Sequence, residues 1–221
     1  MTGEIMQSYP RAEERRRMVE RQIEARGIHN PRVLAAMREI PRHQFIPPPY
    51  DQNAYDDNPL PIGGGQTISQ PYIVAIMTDL LHPERSDNVL EIGAGSGYQA
   101  AILSRLVHRL TTIERIPAVA MLARNNLKLL GIENVEVFEG DGTLGYPQHA
   151  PYNGIIITAA TPEIPQPLID QLADGGKVVA PVGERDVQEL VTLTKHGDKK
   201  IPEYHGGVRF VPLIGKHGWE I

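Results

Sequence analysis

Residues 89–98 read Val-Leu-Glu-Ile-Gly-Ala-Gly-Ser-Gly-Tyr, an apolar run that holds one acid, Glu91, and leads into glycines at 93, 95 and 97. The run is short enough for a buried strand, and alternate glycines remove the Cβ atoms that would keep a ligand off the backbone. Helical periodicity from Tyr98 to Leu106 then turns free backbone N–H groups toward whatever rests on the glycines. The spacing narrows the ligand. A dinucleotide site needs G-x-G-x-x-G, but tyrosine at 98 brings the third glycine one residue early, and the G-x-x-x-x-G-K-[ST] of a phosphate loop is absent. Any tight turn between a strand and a helix could use the same glycines. A second acid argues for a ligand: Arg109–Glu114 is another short strand-like run, and Glu114 stands 21 residues after Gly93, about where a second strand sets a carboxylate on ribose hydroxyls. Glu114 equally suits the start of a helix opening at Pro117.

Composition bounds the elements that must position these groups. At 221 residues and 41% hydrophobic, the chain is long enough to bury a sizeable core and fits one α/β domain. A formal charge of −5 argues against nucleic acid as a partner. No apolar stretch approaches the roughly 18 residues of a membrane span, and the charged start of the chain does not read as a signal peptide, so a cytoplasmic protein is expected. With no cysteine there is no disulfide, thiolate catalysis or Cys-ligated zinc, and the eight histidines lack ligand spacing. No metal is expected.

Along the chain, Pro10–Arg26 alternates Arg and Glu around a few apolar positions, as a solvated amphipathic helix does. Asn30-Pro31 starts a second helix with a cap and a first-turn proline. Residues 41–66, rich in Pro, Gly, Asn and Asp, read as a long functional loop, and Pro71–Leu81 as a helix. Strands are predicted at 88–92, 109–113, 134–138, 154–158, 176–181, 188–194 and 207–211, with helices near 98–106, 117–130 and 164–173. Alternation of this kind implies a doubly wound, mostly parallel α/β sheet with right-handed crossovers. No helix separates the last two strands, so they form an antiparallel hairpin at the C-terminal edge. Residues 1–86 then form a helical elaboration whose loop covers the carboxyl ends of the strands of a core at 87–221, all within one domain.

The acid-x-G-x-G-x-G pattern of residues 91–97 resembles motif I of the S-adenosylmethionine-dependent methyltransferases. Further segments are similar to the protein-L-isoaspartate (D-aspartate) O-methyltransferase family. They are residues 57–71, which contain Gly-Gly-Gly-Gln-Thr-Ile-Ser-Gln-Pro; Gly140–Gly145; Leu172–Gly183; and Gly206–Leu213, which contains Val-Arg-Phe-Val-Pro-Leu. The resemblance runs from about residue 10 to the C-terminus. Asn153-Gly154 departs from it, since the family commonly has an acid there. The resemblance implies a Rossmann-like class I methyltransferase fold and S-adenosylmethionine as cofactor, leaving S-adenosylhomocysteine as product. It places the cofactor against Thr67, Ile68, Glu91, Gly93, Ala94, Gly95, Ser96, Gly97, Glu114, Arg115, Asp141 and Gly142. Glu91 would reach the cofactor ammonium through water, or it merely ends a strand. Asp141 would accept from the adenine amine, or it is a turn residue of Gly-Asp-Gly.

The implied reaction methylates the free carboxylate of an isoaspartyl residue in damaged proteins and peptides, by a monomeric enzyme. A carboxylate with an ordinary pKa near 4 is already ionised at pH 7, so its attack needs no general base, and the sequence offers none. Ser69 is the candidate catalytic and substrate-binding group, orienting that carboxylate; the competing reading makes it the N-cap of the helix at Pro71. Nucleophilic Ser-His-Asp chemistry lacks its G-x-S-x-G elbow. Val211 resembles the residue whose backbone pairs with the substrate peptide, or it is an edge-strand core valine. The alternatives are a methyltransferase for a different carboxylate acceptor and a non-catalytic adenosine-ligand binder.

Overall fold

The computed structural model describes residues 10–220, so the expectation about a leader at the chain start falls outside the described residues. The N-terminal segment is helical, as α1 (Ala12–Met18), a π turn over Val19–Ile23 and a 3-10 turn ending at Gly27. It is less solvated than the Arg/Glu alternation suggests. Arg15 is 2% exposed, its Nε donating to the Arg38 carbonyl at 2.5 Å. Helix α2 (Pro31–Glu39) is capped as its sequence requires, Asn30 accepting from the Arg32 N–H at 3.1 Å.

Residues 41–66 are more ordered than a loop. Two 3-10 turns, Arg42–Phe45 and Tyr50–Asn53, precede a small hairpin of β1 (Leu60–Gly63) and β2 (Gln66–Ile68). Arg42 is fully buried; its Nε donates to the Ala54 carbonyl at 2.8 Å and its guanidinium lies 5.0 Å from the Tyr98 ring centre. Burial pushes that guanidinium down to about 10. Asp57 fixes the far end of the segment: Oδ1 accepts from the Tyr72 N–H at 3.0 Å, and Oδ2 takes an ion pair from Arg26 at 2.7 Å.

Helix α3 (Pro71–Leu81) leads into the alternating core of β3 (Asn88–Ile92), α4 (Tyr98–Ser104), β4 (Arg109–Glu114), α5 (Pro117–Leu129), β5 (Val135–Glu139), β6 (Tyr152–Ile157), α6 (Gln166–Asp170), β7 (Leu172–Gly183), β8 (Gln188–His196) and β9 (Lys199–Val208). The seven-stranded sheet runs β5-β4-β3-β6-β7-β8-β9. It is parallel through β7, and β8 is antiparallel to both its neighbours. Alternation sorts β3 cleanly: Val89 joins a core beneath α3, α4 and the N-terminal helices, whereas Leu90 and Ile92 join the core beneath α6. Helix α2 packs on α3 and α4, whereas the β1–β2 hairpin and the residues following it reach the carboxyl ends of the strands. No helix among the described residues is long and apolar enough to cross a membrane.

Two predicted boundaries are corrected. The helix expected over 164–173 stops at Asp170, because β7 already begins at Leu172, paired with Tyr152. The strand expected at 207–211 lies earlier, at Lys199–Val208; as a sheet edge it is exposed along most of its length, so it has no buried alternation to read. Residues 211–213 instead pair with Ala160, in the segment just after β6. Ala160 N–H donates to the Val211 carbonyl at 2.8 Å, and Leu213 N–H to the Ala160 carbonyl at 2.7 Å.

Candidate active site

The order of the sheet creates the site. The chain moves outward from β3 through β4 to β5 and returns to the other flank of β3 as β6, so a crevice opens at the carboxyl ends of β3, β4 and β6. It contains a 320 Å³ cavity lined by Thr67, Gly93, Gly95, Glu114, Arg115 and Gly142, with Val211–Ile214 on another wall. A narrower 50 Å³ recess beneath the hairpin brings together Ile68, Ser69, Ala94 and Ser96 with Gln99. A broad cleft of 1060 Å³ opens beyond, and Ser69 and Val211 stand on its walls. Thr67 and Thr158 line all three spaces.

Gly93 holds φ +94°, and a Cβ there would come within 2.5 Å of Thr158 Oγ1. That hydroxyl donates to the Gly93 carbonyl at 2.7 Å and approaches the Ile92 carbonyl at 3.0 Å, so glycine lets β6 lock the loop. Gly97 is different. A Cβ there would meet Ala123 and Leu127 at 3.4 Å, which makes it the packing contact between the start of α4 and α5; it lines none of these spaces.

Glu114 serves the start of α5 and also stands at the cavity. Its Oε1 accepts from the Ile116 N–H at 3.0 Å at the head of α5, and its Oε2 from the Gly95 N–H at 3.1 Å, while the residue borders the 320 Å³ cavity. A carboxylate has about four acceptor positions, so capacity for paired hydroxyls remains. Ser69 is not the N-cap of α3. That position belongs to Gln70, and among the described residues the Ser69 hydroxyl has no hydrogen-bond partner, because Asp57 already serves the helix start. Ser96 Oγ is buried and also unpartnered.

Besides Gly97, two predicted residues line none of these spaces. Asp141 is engaged by the protein: Oδ1 accepts from the Thr143 N–H at 2.9 Å and hydroxyl at 2.7 Å, and Oδ2 from the Lys216 N–H at 2.8 Å. Burial alone would raise its carboxyl, but these donors outweigh it and hold the group below the usual carboxylate range. The tail approaches so closely that a Cβ on Gly215 would fall 2.1 Å from Asp141 Oδ1. Gly142, beside it, does reach the cavity. Glu91 is fully buried behind the glycine loop, with no hydrogen-bond partner on either oxygen. Val211 has its carbonyl occupied by Ala160, and its N–H makes no hydrogen bond among the described residues. Asn153, the departure from the family pattern, accepts from the Asn88 N–H at 3.0 Å, so it ties two strand starts together far from the cavity.

Thr158, Ala159, Pro212 and Ile214 line the cavity without having been singled out in sequence. Topology was the missing signal, since the switch point beside β3 marks the end of β6 only once strand order is known.

The pattern of the family described as Protein-L-isoaspartate(D-aspartate) O-methyltransferase matches residues 13–218. The chain is 67% identical over 212 residues to the protein-L-isoaspartate O-methyltransferase of Methanoregula boonei, covering 96% of this chain and 98% of that protein. It is 62% identical to that of Methanospirillum hungatei, covering 95% and 97%. A solved protein-L-isoaspartate O-methyltransferase superposes with a TM-score of 0.83 at 29% identity, covering 92% of this chain and 67% of the other. A Plasmodium falciparum chain solved in complex with S-adenosyl-L-homocysteine shares the fold, with a TM-score of 0.78 at 23% identity over 90% of this chain and 98% of the other. The chain belongs to the protein-L-isoaspartate (D-aspartate) O-methyltransferase family.

Proposed function

We propose that the chain transfers a methyl group from S-adenosylmethionine to the free carboxylate of L-isoaspartyl residues, and of D-aspartyl residues, in damaged proteins and peptides, the first step of their repair. The observation that carries this is the meeting of a nucleotide-sized cavity and an open cleft at Thr67, Thr158 and Val211, with Ser69 shared by the narrow recess and the same cleft. The residues fit the cofactor. Gly93 and Gly95 bring the loop backbone to the cavity while Gly97 packs that loop on α5, Glu114 keeps acceptor capacity toward the cavity, and Ser96 carries an unused buried hydroxyl. Thr67, Ile68, Ala94 and Arg115 complete the walls with Gly142, whose neighbour Asp141 fixes the turn by accepting from the Thr143 N–H. When bound, the cofactor supplies an electrophilic methyl group on a sulfonium. Ser69 orients the acceptor carboxylate with a neutral donor, and the β1–β2 hairpin excludes water. Neutral donors suit the step, because negative and positive charge cancel as the methyl moves and a strong clamp on the carboxylate would oppose that. We read the chain as one domain, monomeric and cytoplasmic, with no nucleic-acid partner.

Label transfer from S-adenosylmethionine to an isoaspartyl peptide tests the reaction; activity confined to a small-molecule acid would favour a different acceptor. Ser69→Ala is expected to lower kcat/KM for that peptide by about 1–2 kcal/mol, the scale of one hydrogen bond, and to leave S-adenosylhomocysteine affinity near wild type. Complete loss of turnover in a folded variant would show a more direct chemical role. Glu114→Gln exchanges one acceptor for an NH₂ that must face a backbone N–H. It is expected to weaken S-adenosylhomocysteine binding by about 1–3 kcal/mol in calorimetry and also to lower the melting temperature. Unchanged affinity would leave Glu114 with its structural role alone.

A further inference from the structure

The wide cleft carries charge that the transfer step does not use. Arg26, Arg185 and Arg209 line it, and Asp186 is the one carboxylate among its lining residues. Arg26 is already neutralised by Asp57 at 2.7 Å and lies flat on Tyr72, 3.3 Å from the ring centre. Arg185 donates to the Glu220 carbonyl at 2.7 Å and rests 5.2 Å from the Trp219 ring centre, and neither contact supplies a counter-charge. Arg209 is exposed and has no ion pair among the described residues. Of the other surface arginines, Arg16, Arg32 and Arg124 are paired with carboxylates, whereas Arg21, Arg85 and Arg115 are, like Arg209, exposed without an ion pair among the described residues.

Arg185 and Arg209 also come from chain segments other than the one that carries the acceptor position. Ser69 is accompanied by Thr67, Gln70, Ile73 and Thr158, all uncharged, while Arg185 and Arg209 belong to the wall formed by the β7–β8 turn and the residues after β9. A peptide whose reacting carboxylate lies at Ser69 would therefore present its neighbouring residues to these guanidinium groups. We infer that Arg209 and Arg185 are specificity-determining residues that favour isoaspartyl sites flanked by acidic residues over sites flanked by basic ones. The inference rests on the methyltransferase reading above. Each exposed pair changes affinity by up to about five-fold, and the effect weakens with salt as the screening length falls from roughly 8 Å at physiological ionic strength.

Isoaspartyl hexapeptides flanked by alanine, glutamate or lysine provide the test, through KM and kcat for methylation and through Kd by calorimetry with S-adenosylhomocysteine present. The glutamate-flanked peptide is expected to bind about ten-fold tighter than the lysine-flanked one, as two such pairs allow, with kcat constant across the series because the contacts are the same in ground and transition states. The preference should shrink in high salt and flatten in Arg209→Ala and Arg185→Ala, substitutions at exposed positions. Normal turnover of the alanine-flanked peptide with equal or lysine-favouring KM and Kd would overturn the inference. So would a glutamate preference that persists in both variants. No turnover of the alanine-flanked peptide would instead overturn the methyltransferase reading, and this inference with it.

Discussion

An L-isoaspartyl hexapeptide is expected to be methylated at least about 100-fold faster than the same peptide with a normal aspartyl residue, so that the normal isomer gives no more than about 1% of the rate. The isomers differ in where the carboxylate hangs. In the isoaspartyl form the main chain continues through the β-carbonyl, and the free carboxylate is attached one methylene closer to the backbone. A site that fixes the peptide backbone independently of the carboxylate can read that difference, because a misplacement of about 1 Å costs about 100-fold when three atoms must align.

Two anchored segments stand on the walls of the cleft: one carries Ser69, which we propose orients the carboxylate, and the other carries Val211, whose backbone we propose pairs with the peptide. On one side Ser69 follows β2 and precedes α3, and the start of that helix is tied to Asp57, itself paired with Arg26. On the other, the segment carrying Val211 is held by Ala160 through backbone pairing and by Gln188, whose Oε1 accepts from the Phe210 N–H at 2.9 Å. Neither anchor contacts the reacting atoms, yet the gap between them sets how long an acceptor arm can be. Rates for the two hexapeptides under identical label-transfer conditions measure the effect. Comparable rates for both isomers would mean that the cleft reads carboxylates without reading backbone.

What could be read from sequence follows from how local the determinants are. The strand at 88–92, the glycine loop and helix α3 carry their boundaries in their own residues, with Pro71 opening the helix and His82, at φ +52°, closing it. The β1–β2 hairpin was absorbed into a long loop because its strands are four and three residues long, too short to show alternation. Residues that border the 320 Å³ cavity from the glycine loop and β4 stand out in sequence because their chemistry is contiguous. Ile214 and Thr158 were not, since their place depends on strand order. Asp141 shows the same limit from the other direction: its Lys216 partner is 75 residues away, so sequence shows an acid in a turn and not the tail it anchors. Arg15 and Arg42 were missed for a related reason. A buried arginine bonded to main-chain carbonyls has the same local sequence as a solvated one.

Replacing Glu91 with glutamine is expected to stabilise the protein above neutral pH and to change little near pH 5. Glu91 lies on β3 between Thr112 of β4 and Ile156 of β6, fully buried, with no hydrogen-bond partner on either oxygen. Burial drives its carboxyl up to about 8; the neighbouring Thr112 hydroxyl pulls the other way, and the charge on Glu114 adds to the rise. Between the ordinary glutamate value of about 4.5 and about 8, the native state thus keeps a proton that the unfolded chain has released. Native stability from this group is fully present below the unfolded value and is lost as pH rises, by up to about 1.4 kcal/mol per pH unit. Glutamine preserves the shape, cannot ionise and removes that slope. At pH 8 the variant is expected to gain about 2–4 kcal/mol, which for a chain of this size is a rise of roughly 5–15 °C in melting temperature. Melting curves from pH 5 to 8.5 decide it. Parallel pH profiles for the two proteins would mean that Glu91 is ionised in the native state, with a partner that offsets its burial.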